Sequence, residues 1–372
     1  MAAISAVTAA GSAAVGASYA YVDLSLHRMG ASATEIGVNA SMPALAWFLT
    51  TPLMPLLLRR FRPGAVLRAL LLAAVLSPLG FILLPDQGAW LFVRFVFGGS
   101  LGMAFRLVEY WINAESADDR RGRNIGLYAS VFCAGAAVGA GIVPITGMTG
   151  WPTILLIQGL AAAALVALSA ARAAPPGITG TGRLSPLGLA AGVPVVAALV
   201  FGLFEAVPYT LMPVHAVKAG LPEELAAGVV SAFLVGALVF PVPLGMLADS
   251  IGKKRVLAAC TMVALTVPFA LPGTLGTPWL LMLAMLVWGG MAGGLYTASL
   301  AMLADHFRGA ELAAANVAFG TFYAAGALLG PPLHGMAMDR LEPNGIMASS
   351  TVLFAAFLGF MAWKVYRKPG QP

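Results

Sequence analysis

The stretch "AGALLGP", residues 325–331, decides the fold because it repeats "AGAAVGA", residues 134–140, at an offset of 191. The same offset relates "FGGSLGMAF" (97–105) to "WGGMAGGLY" (288–296). Self-similarity at a fixed spacing is the mark of a structural unit that has been copied along the chain. The two pairs therefore predict that the second half of the molecule follows the fold of the first half.

A third pair of blocks extends this register towards the start of each half. "SYAYVDLSLHRMG" (18–30) pairs with "PYTLMPVHAVKAG" (208–220) at an offset of 190, which aligns Tyr19 with Tyr209. Three blocks at nearly one offset are hard to attribute to shared composition alone. We therefore predict a duplication in which both halves keep the same orientation.

Composition places the chain in a membrane. Of 372 residues, 60% are hydrophobic and 10% are charged, and the mean hydropathy is +0.89. Soluble domains carry about 25% charged residues. The apolar residues recur in stretches of about 20, the length of helix that crosses a hydrocarbon core. The N-terminus lacks a basic region before its apolar run, so no cleavable signal is predicted.

Clusters of Pro, Gly and charge separate the apolar stretches and predict twelve membrane-spanning helices. The predicted spans lie near 3–26, 36–58, 64–84, 89–112, 125–147, 152–171, 188–214, 225–247, 255–273, 278–303, 312–336 and 345–363. The Pro- and Gly-rich segment 172–187 is the predicted linker between an N-terminal six-helix bundle, 1–171, and a C-terminal six-helix bundle, 188–372.

The distribution of Lys and Arg predicts the orientation. With a cytoplasmic N-terminus, sixteen of the 21 Lys and Arg residues fall in inside segments. The outside loops then hold Arg28, Lys218 and Arg340, while Arg94 and Arg106 fall within a span. Cytoplasmic loops are enriched in these residues, so both termini are predicted to be cytoplasmic. The pI near 9.5 is then a topology signal, and no nucleic-acid partner is expected.

The loop "GMLADSIGKKR" (245–255) resembles the signature loop of the major facilitator superfamily, with a Gly, an acid four residues on, then Gly and two bases. In that family the loop acts as a latch between helices. The resemblance implies this gating role for Gly245, Asp249, Gly252, Lys253 and Lys254. The first-half counterpart, "PLLLRRFRPG" (55–64), has Arg59 in place of the acid.

Other motifs extend the resemblance over the whole chain. "RFVFGGSLG" (94–102) resembles the Arg-x-x-x-Gly motif of the fourth helix, and "GALLGPPLHG" (326–335) resembles a Gly-x-x-x-Gly-Pro packing motif. "RRGRNIGLY" (120–128) resembles an inside loop and adds Arg121 and Arg123 to the gating candidates. The string "EYWINAESADDRRGR" (109–123) and the compact length most resemble the short bacterial YcaD-like branch.

The resemblance implies an all-α fold of two pseudo-symmetric six-helix bundles around a substrate site near the middle of the membrane. It implies a secondary active transporter of the bacterial inner membrane, working by alternating access on a small organic solute. No enzyme activity and no cofactor are expected, and the protein is expected to be a monomer. The partners expected are the solute, protons and the lipid bilayer.

Glu205 is the first candidate for proton coupling. It lies in "FGLFEAVPYTLM" (201–212), with no charged residue within eight positions before it or twelve after it. An ionisable group within a span is costly and marks a functional site by default. Phe201, Tyr209 and Met212 share its helical stripe. The alternative is a permanently protonated acid that holds two helices together.

Arg94 and Asp23 are the other coupling candidates. An intramembrane arginine stays charged and requires a carboxylate, backbone carbonyls or an anionic substrate. Asp23, in the outer part of the first span, is the candidate partner, although it lies close enough to the helix end to reach the interface instead. Arg106 and Glu109 are three residues apart, which favours a salt bridge or an interfacial anchor. A cytoplasmic gate contact is the other interpretation.

Aromatic and polar side chains on the cavity-lining helices are the substrate-binding candidates, since organic ligands bind in aromatic pockets with a few polar groups. They are Tyr19, Asn39, Ser41, Glu205, Tyr209, Met212, Trp288, Tyr296 and Tyr323. Each of these residues alone is also compatible with packing.

A second hypothesis is an importer of copper, another metal ion or flavin. Thioether, imidazole and thiolate groups bind Cu(I), and Met212, His215 and Cys260 are the candidate ligands. The 17 methionines are scattered, however, and methionine is a common core residue. A third hypothesis, a membrane receptor without transport, would not need charges inside a cavity.

Overall fold

The structure is a computed structural model that describes residues 2–50, 53–84, 86–116, 121–146, 150–169, 192–307 and 309–367. Helices account for all of its regular secondary structure in these ranges. The predicted linker 172–187 lies outside the described residues, as do the bundle boundaries on either side of it.

The first half forms six helical spans, numbered here in chain order. Span 1 is Ala2–Arg28; span 2 consists of Ala33–Thr50 and Met54–Arg60; span 3 consists of Pro63–Leu76, the short turn Ser77–Leu79 and Gly80–Leu83; span 4 is Gln87–Glu115; span 5 is Arg121–Ile142 with the turn Val143–Thr146; and span 6 is Gly150–Ser169.

The second half forms six more spans. Span 7 consists of Val193–Glu205 and Val207–Lys218; span 8 consists of Glu223–Val239 and Pro241–Ile251; span 9 is Lys253–Thr274; span 10 is Pro278–His306; span 11 is Gly309–Arg340; and span 12 is Gly345–Arg367. The prediction of one helix over 188–214 is wrong in detail, because span 7 is interrupted at Ala206. Pro208 is the physical reason, since it has no N–H to donate to the carbonyl of Phe204.

Ten of the spans in the described chain are long and apolar enough to cross a membrane. Spans 2 and 11 belong to different halves of the molecule. They pack along each other where the two halves meet, so much of their surface faces protein instead of lipid. The architecture confirms the predicted all-α membrane fold.

Equivalent helices make equivalent contacts in the two halves. Span 1 packs on span 5 as span 7 packs on span 11, and span 2 packs on span 4 as span 8 packs on span 10. Span 3 contacts spans 4 and 6, and span 9 likewise contacts spans 10 and 12. Between the halves, span 1 meets span 7, span 2 meets span 11 and span 5 meets span 8. The sequence repeat is therefore a repeat of packing.

The glycines of the duplicated motif explain why it recurs. A Cβ added to Gly139 would overlap the carbonyl oxygen of Ala13, and one added to Gly330 would overlap the carbonyl oxygen of Leu203. Ala13 and Leu203 are themselves 190 residues apart, in step with the repeat. In each half the glycine brings two helix backbones into direct contact, as small residues do in membrane helix pairs.

One end of the molecule is closed by contacts between the halves. The carboxylate of Asp339, at the end of span 11, accepts hydrogen bonds from the backbone N–H groups of Ala33 (2.9 Å) and Thr34 (2.8 Å) and from the Thr34 hydroxyl (2.6 Å). It thereby caps the first turn of span 2 in the other half. Arg28 and Glu223 form an ion pair between the halves at the same end.

Candidate functional site

A cavity with two adjoining lobes, of about 150 and 170 Å³, lies between the halves. Residues of spans 1, 5, 7 and 11 line both lobes; they are Val15, Tyr19, Phe132, Glu205, Tyr209 and Tyr323. Arg94 and Trp47 line the first lobe, while Cys133 and Phe201 line the second. The cavity occupies the place where the fold predicts a substrate site.

Glu205 lines both lobes of this cavity and joins two helices of the second half. Its Oε2 accepts a hydrogen bond of 2.5 Å from the hydroxyl of Tyr323. The Tyr323 ring lies near parallel to the ring of Phe201, with centroids 5.8 Å apart, and meets the ring of Tyr296 edge-on at 6.2 Å. The carboxyl therefore has a hydroxyl partner and lies beside a cluster of aromatic rings.

Tyr19 and Tyr209, which the repeat aligns, meet each other across the two halves. Their ring centroids are 4.7 Å apart at an interplanar angle of 39°. Equivalent residues of two pseudo-symmetric halves come together where the symmetry axis passes. The tyrosine pair thus marks the position of the pseudo-symmetry axis, and it lines both lobes of the cavity.

Arg94 and Asp23 form an ion pair inside the first half. Arg94 Nη1 lies 3.4 Å from Asp23 Oδ1, and each side chain is 1% exposed. The guanidinium also lies 5.0 Å from the centroid of the Tyr19 ring and donates from Nη1 to the carbonyl of Ser18 at 3.4 Å. Arg94 lines the first lobe, whereas Asp23 lies outside the lining of both lobes.

Arg106 and Glu109 lie one helical turn apart towards the other end of span 4. Arg106 Nη1 is 3.7 Å from Glu109 Oε2, and the side chains are 46% and 38% exposed. The guanidinium of Arg106 stands 4.0 Å from the centroid of the Trp47 ring, at the edge of the first lobe. This places an exposed pair of charges beside the cavity, and its gating role stays a prediction.

Five of the predicted substrate-binding residues lie outside the lining of the two lobes. Trp288 is fully buried, and its Nε1 donates to the carbonyl of Ala264 at 3.0 Å. Met212 and Asn39 are buried, and the Ser41 hydroxyl donates to the carbonyl of Val38 at 2.8 Å. Tyr296 also lies outside this lining but contacts it through Phe201, at a centroid distance of 4.9 Å.

The predicted latch lies at the opposite end from the Asp339 cap. Gly252 has a φ of +100° and separates the helices of spans 8 and 9. Lys253 forms an ion pair with Asp305 of span 10 and also donates to the carbonyl of Ala301 at 3.2 Å. The remaining latch candidates are a partly buried Gly245 and the exposed Asp249 and Lys254.

Two other gating candidates, Arg121 and Arg123, begin the helix of span 5. Their side chains lie outside the described part of the structure.

The candidate metal ligands occupy two helices. Met212 and His215 are buried in span 7, and Cys260 is buried in span 9. Among the described residues, no three His, Cys, Asp or Glu side chains lie close enough together to hold a metal ion. Metal import stays an untested hypothesis.

Several cavity residues were missed by sequence reasoning. Phe132 is the repeat counterpart of Tyr323 at an offset of 191, so the repeat itself could have identified it. Phe201 belongs to the same stripe as Glu205. Trp47 has no comparable signal, because its counterparts at offsets of 190 and 191 are Ala237 and Leu238.

Two repeated six-helix bundles around a central cavity with ionisable groups define the class of secondary membrane transporters. The sequence profile of the Major Facilitator Superfamily matches residues 1–228 and 194–372, and the chain belongs to this family. It is therefore a multi-pass membrane transporter of a small solute, and its family consists of transporters instead of enzymes.

Relatives and solved structures agree with this assignment. The chain is 26% identical over 347 residues to the uncharacterized MFS-type transporter YfkF of Bacillus subtilis strain 168, covering 89% of this chain and 88% of YfkF. It is 24% identical to the uncharacterized MFS-type transporter YcaD of Escherichia fergusonii, covering 83% and 81%. The crystal structure of the nucleoside transporter NupG superimposes with a TM-score of 0.75 at 13% identity, covering 98% of this chain and 97% of NupG.

Proposed function

We propose that this transporter moves a small organic solute across the bacterial cytoplasmic membrane together with protons. The observation that carries the proposal is the position of Glu205, whose carboxyl lines both lobes of the cavity and accepts a hydrogen bond from Tyr323. A carboxyl that faces the solute and exchanges a proton couples the two movements, because its charge changes when the solute binds or leaves.

Alternating access follows from the two halves, with 1–171 and 188–372 acting as the moving bodies and 172–187 as the cytoplasmic linker. The rocking of one bundle against the other around a fixed site is the general scheme for this fold. In the present conformation, contacts between the halves close the end that carries Asp339 and the Arg28–Glu223 ion pair. With both termini cytoplasmic, this closed end is the outer one.

The proposal is tested in proteoliposomes. A thermal-shift panel on the purified protein first identifies a stabilising solute, since a ligand that binds only the native state raises its stability. We expect an imposed pH gradient to drive accumulation of that solute above its equilibrium level, and a protonophore to abolish it. Accumulation that is indifferent to collapse of the pH gradient would contradict proton coupling.

Removing the cap between the halves is expected to favour opening of the closed end. Asp339→Ala deletes three hydrogen bonds to span 2, and loss of a helix cap costs about 1 kcal/mol. This is enough to change the ratio of two conformations several-fold. Cys133 lines the cavity and Cys260 is buried. In a Cys260→Ser background, the rate at which Cys133 is modified therefore measures how accessible the cavity is from one side of the membrane. We expect a membrane-impermeant maleimide, added on the side of the Asp339 end, to modify Cys133 faster in Asp339→Ala than in the protein that keeps Asp339.

Asp86→Ala is the matched control for this experiment. Asp86 caps span 4 at the same end of the molecule by accepting from the N–H of Ala89 at 2.8 Å, but it acts within one half. Its loss should leave the modification rate of Cys133 at the wild-type value. Equal rates for Asp339→Ala and wild type would contradict the role of the Asp339 cap in closure.

A further inference from the structure

The guanidinium of Arg94 is buried at the edge of the cavity with donors to spare. The side chain is 1% exposed and lines the first lobe. Its Nη2 has no hydrogen-bond partner among the described residues. A guanidinium has five N–H donors, and a buried donor without an acceptor costs free energy. An unsatisfied cationic donor therefore belongs to a residue that lines the cavity.

Asp23 compensates the charge of Arg94 without using up its donors. The shortest approach is 3.4 Å, and both carboxylate oxygens of Asp23 lack a hydrogen bond among the described residues. Asp23 lies outside the lining of both lobes, so it compensates the charge of Arg94 without lining the cavity itself. The preferred partner of an arginine fork is a carboxylate that accepts two parallel hydrogen bonds. A ligand carboxylate at Nη2 would supply the acceptor that Asp23 does not.

The side chains beside Arg94 in the first lobe favour a ligand with a flat apolar part. Tyr19 lies against the guanidinium, and its ring meets that of Tyr209 at 4.7 Å. Phe97 and Phe105 line the same lobe. Aromatic rings prefer offset or edge-to-face contact with other rings, and pockets of this composition bind organic ligands.

The charges around the lobe also limit the charge of the ligand. Arg94 is the only arginine or lysine among the described residues that line the lobes, and Glu205 lines both of them. Asp23 adds a second carboxyl behind Arg94. A second negative charge on the ligand would add repulsion from these two carboxyl groups without a second lining cation to offset it, which favours a monoanion over a dianion.

We infer that the cavity binds an organic monocarboxylate with a planar apolar body, and that Arg94 Nη2 is the group that recognises its carboxylate. The inference rests on the proposed transport function and specifies the class of its solute. Arg94 is on this account a specificity-determining residue of the first half, placed opposite Glu205 of the second half.

Three related probes test the inference on the full-length purified protein. Benzoate, its uncharged analogue benzamide and the dianion phthalate are compared by thermal shift and by isothermal titration. We expect benzoate to bind and stabilise the wild-type protein more than either of the other two. Equal stabilisation by benzamide, or no stabilisation by benzoate, would overturn the inference.

Variants at the ion pair give effects of opposite sign. Asp23→Asn frees Arg94 from its competing carboxylate, so benzoate affinity is expected to rise several-fold. Each single variant, Asp23→Asn or Arg94→Gln, leaves one buried charge without its counter-charge, so the folding of both is first checked by size-exclusion chromatography. The double variant Asp23→Asn/Arg94→Gln removes both charges together and is expected to lose the preference for benzoate over benzamide. A preference that survives in the double variant would refute the role of Arg94.

Arg68→Gln is the matched control, since it makes the same substitution at an exposed arginine of span 3. It should bind benzoate as the wild type does. Binding is measured without a gradient, so failure of this inference is separable from failure of proton coupling. If a pH gradient drives accumulation of a neutral solute but the protein does not prefer benzoate to benzamide, only the inference about the anion site is wrong. If benzoate binds through Arg94 but a pH gradient drives uptake of no solute, only the proposal of proton coupling is wrong.

Discussion

Glu205→Gln is expected to abolish pH-gradient-driven accumulation while the protein still folds, inserts and binds its solute. Glutamine has nearly the volume of glutamic acid and keeps an oxygen that can accept the hydrogen bond from Tyr323. It cannot take up or release a proton in the physiological range. Transport should therefore become downhill only.

The expected loss is large enough to measure directly. A gradient of one pH unit stores about 1.4 kcal/mol per proton, which supports about tenfold accumulation when one proton moves with each solute. In the variant this ratio should fall to one. Glu311→Gln makes the same substitution at an exposed position of span 11 and should accumulate solute as the wild type does. If Glu205→Gln keeps the wild-type pH dependence, the coupling assignment is wrong.

Gly330→Ala is expected to destabilise the protein strongly, because the added methyl group would overlap the carbonyl oxygen of Leu203. The contact is between two helix backbones, so no flexible side chain can move aside. Overpacking of this kind costs about 1–3 kcal/mol and sometimes more. We expect a lower midpoint of thermal unfolding and a larger aggregated fraction by fluorescence-detected size-exclusion chromatography.

Gly320→Ala is the control in the same helix and has the opposite expected sign. No atom lies within 4 Å of a Cβ built at Gly320. Alanine is favoured over glycine in a helix interior by about 0.8–1 kcal/mol, so this variant should be as stable as the wild type or more stable. Similar destabilisation by both substitutions would show that the contact at Gly330 is not what makes it sensitive.

The fold could be predicted from the sequence because membrane burial and duplication both leave long-range periodic signals. Apolar stretches of about 20 residues report the hydrocarbon thickness, and the repeated glycines report helix pairs that recur in both halves. The alignment of Tyr19 with Tyr209 identified a pair of equivalent residues. That the two rings touch follows from the position of the symmetry axis, which only the structure gives.

Sequence reasoning found the cavity residues whose type is costly to bury in a membrane. It missed the cavity residues whose type is common in membrane helices. Glu205 and Arg94 stand out as charges within apolar spans, and both line the cavity. Trp288 satisfies its N–H with the carbonyl of Ala264 in the interior of the second half. Trp288 stands in an apolar stretch of the sequence, and this hydrogen bond joins it to a residue 24 positions away.

Long-range partners were also beyond the sequence. The hydrogen bond from Tyr323 to Glu205 joins residues 118 positions apart, and Asp339 reaches Thr34 over 305 positions. Neither pair has a local pattern that specifies it, because each depends on how spans 7 and 2 pack on span 11. Helix packing in three dimensions decides these contacts.

Distances between spin labels at the two ends of the molecule test the alternating-access account most directly. In a Cys133→Ser/Cys260→Ser background, one label pair replaces the exposed Met29 and Leu341, and the other replaces the exposed Phe61 and Ile251. Each pair spans the two halves at one end. We predict that solute and pH change the two distances in opposite directions, one end opening as the other closes. Distances that stay fixed, or that grow and shrink together, would contradict the account.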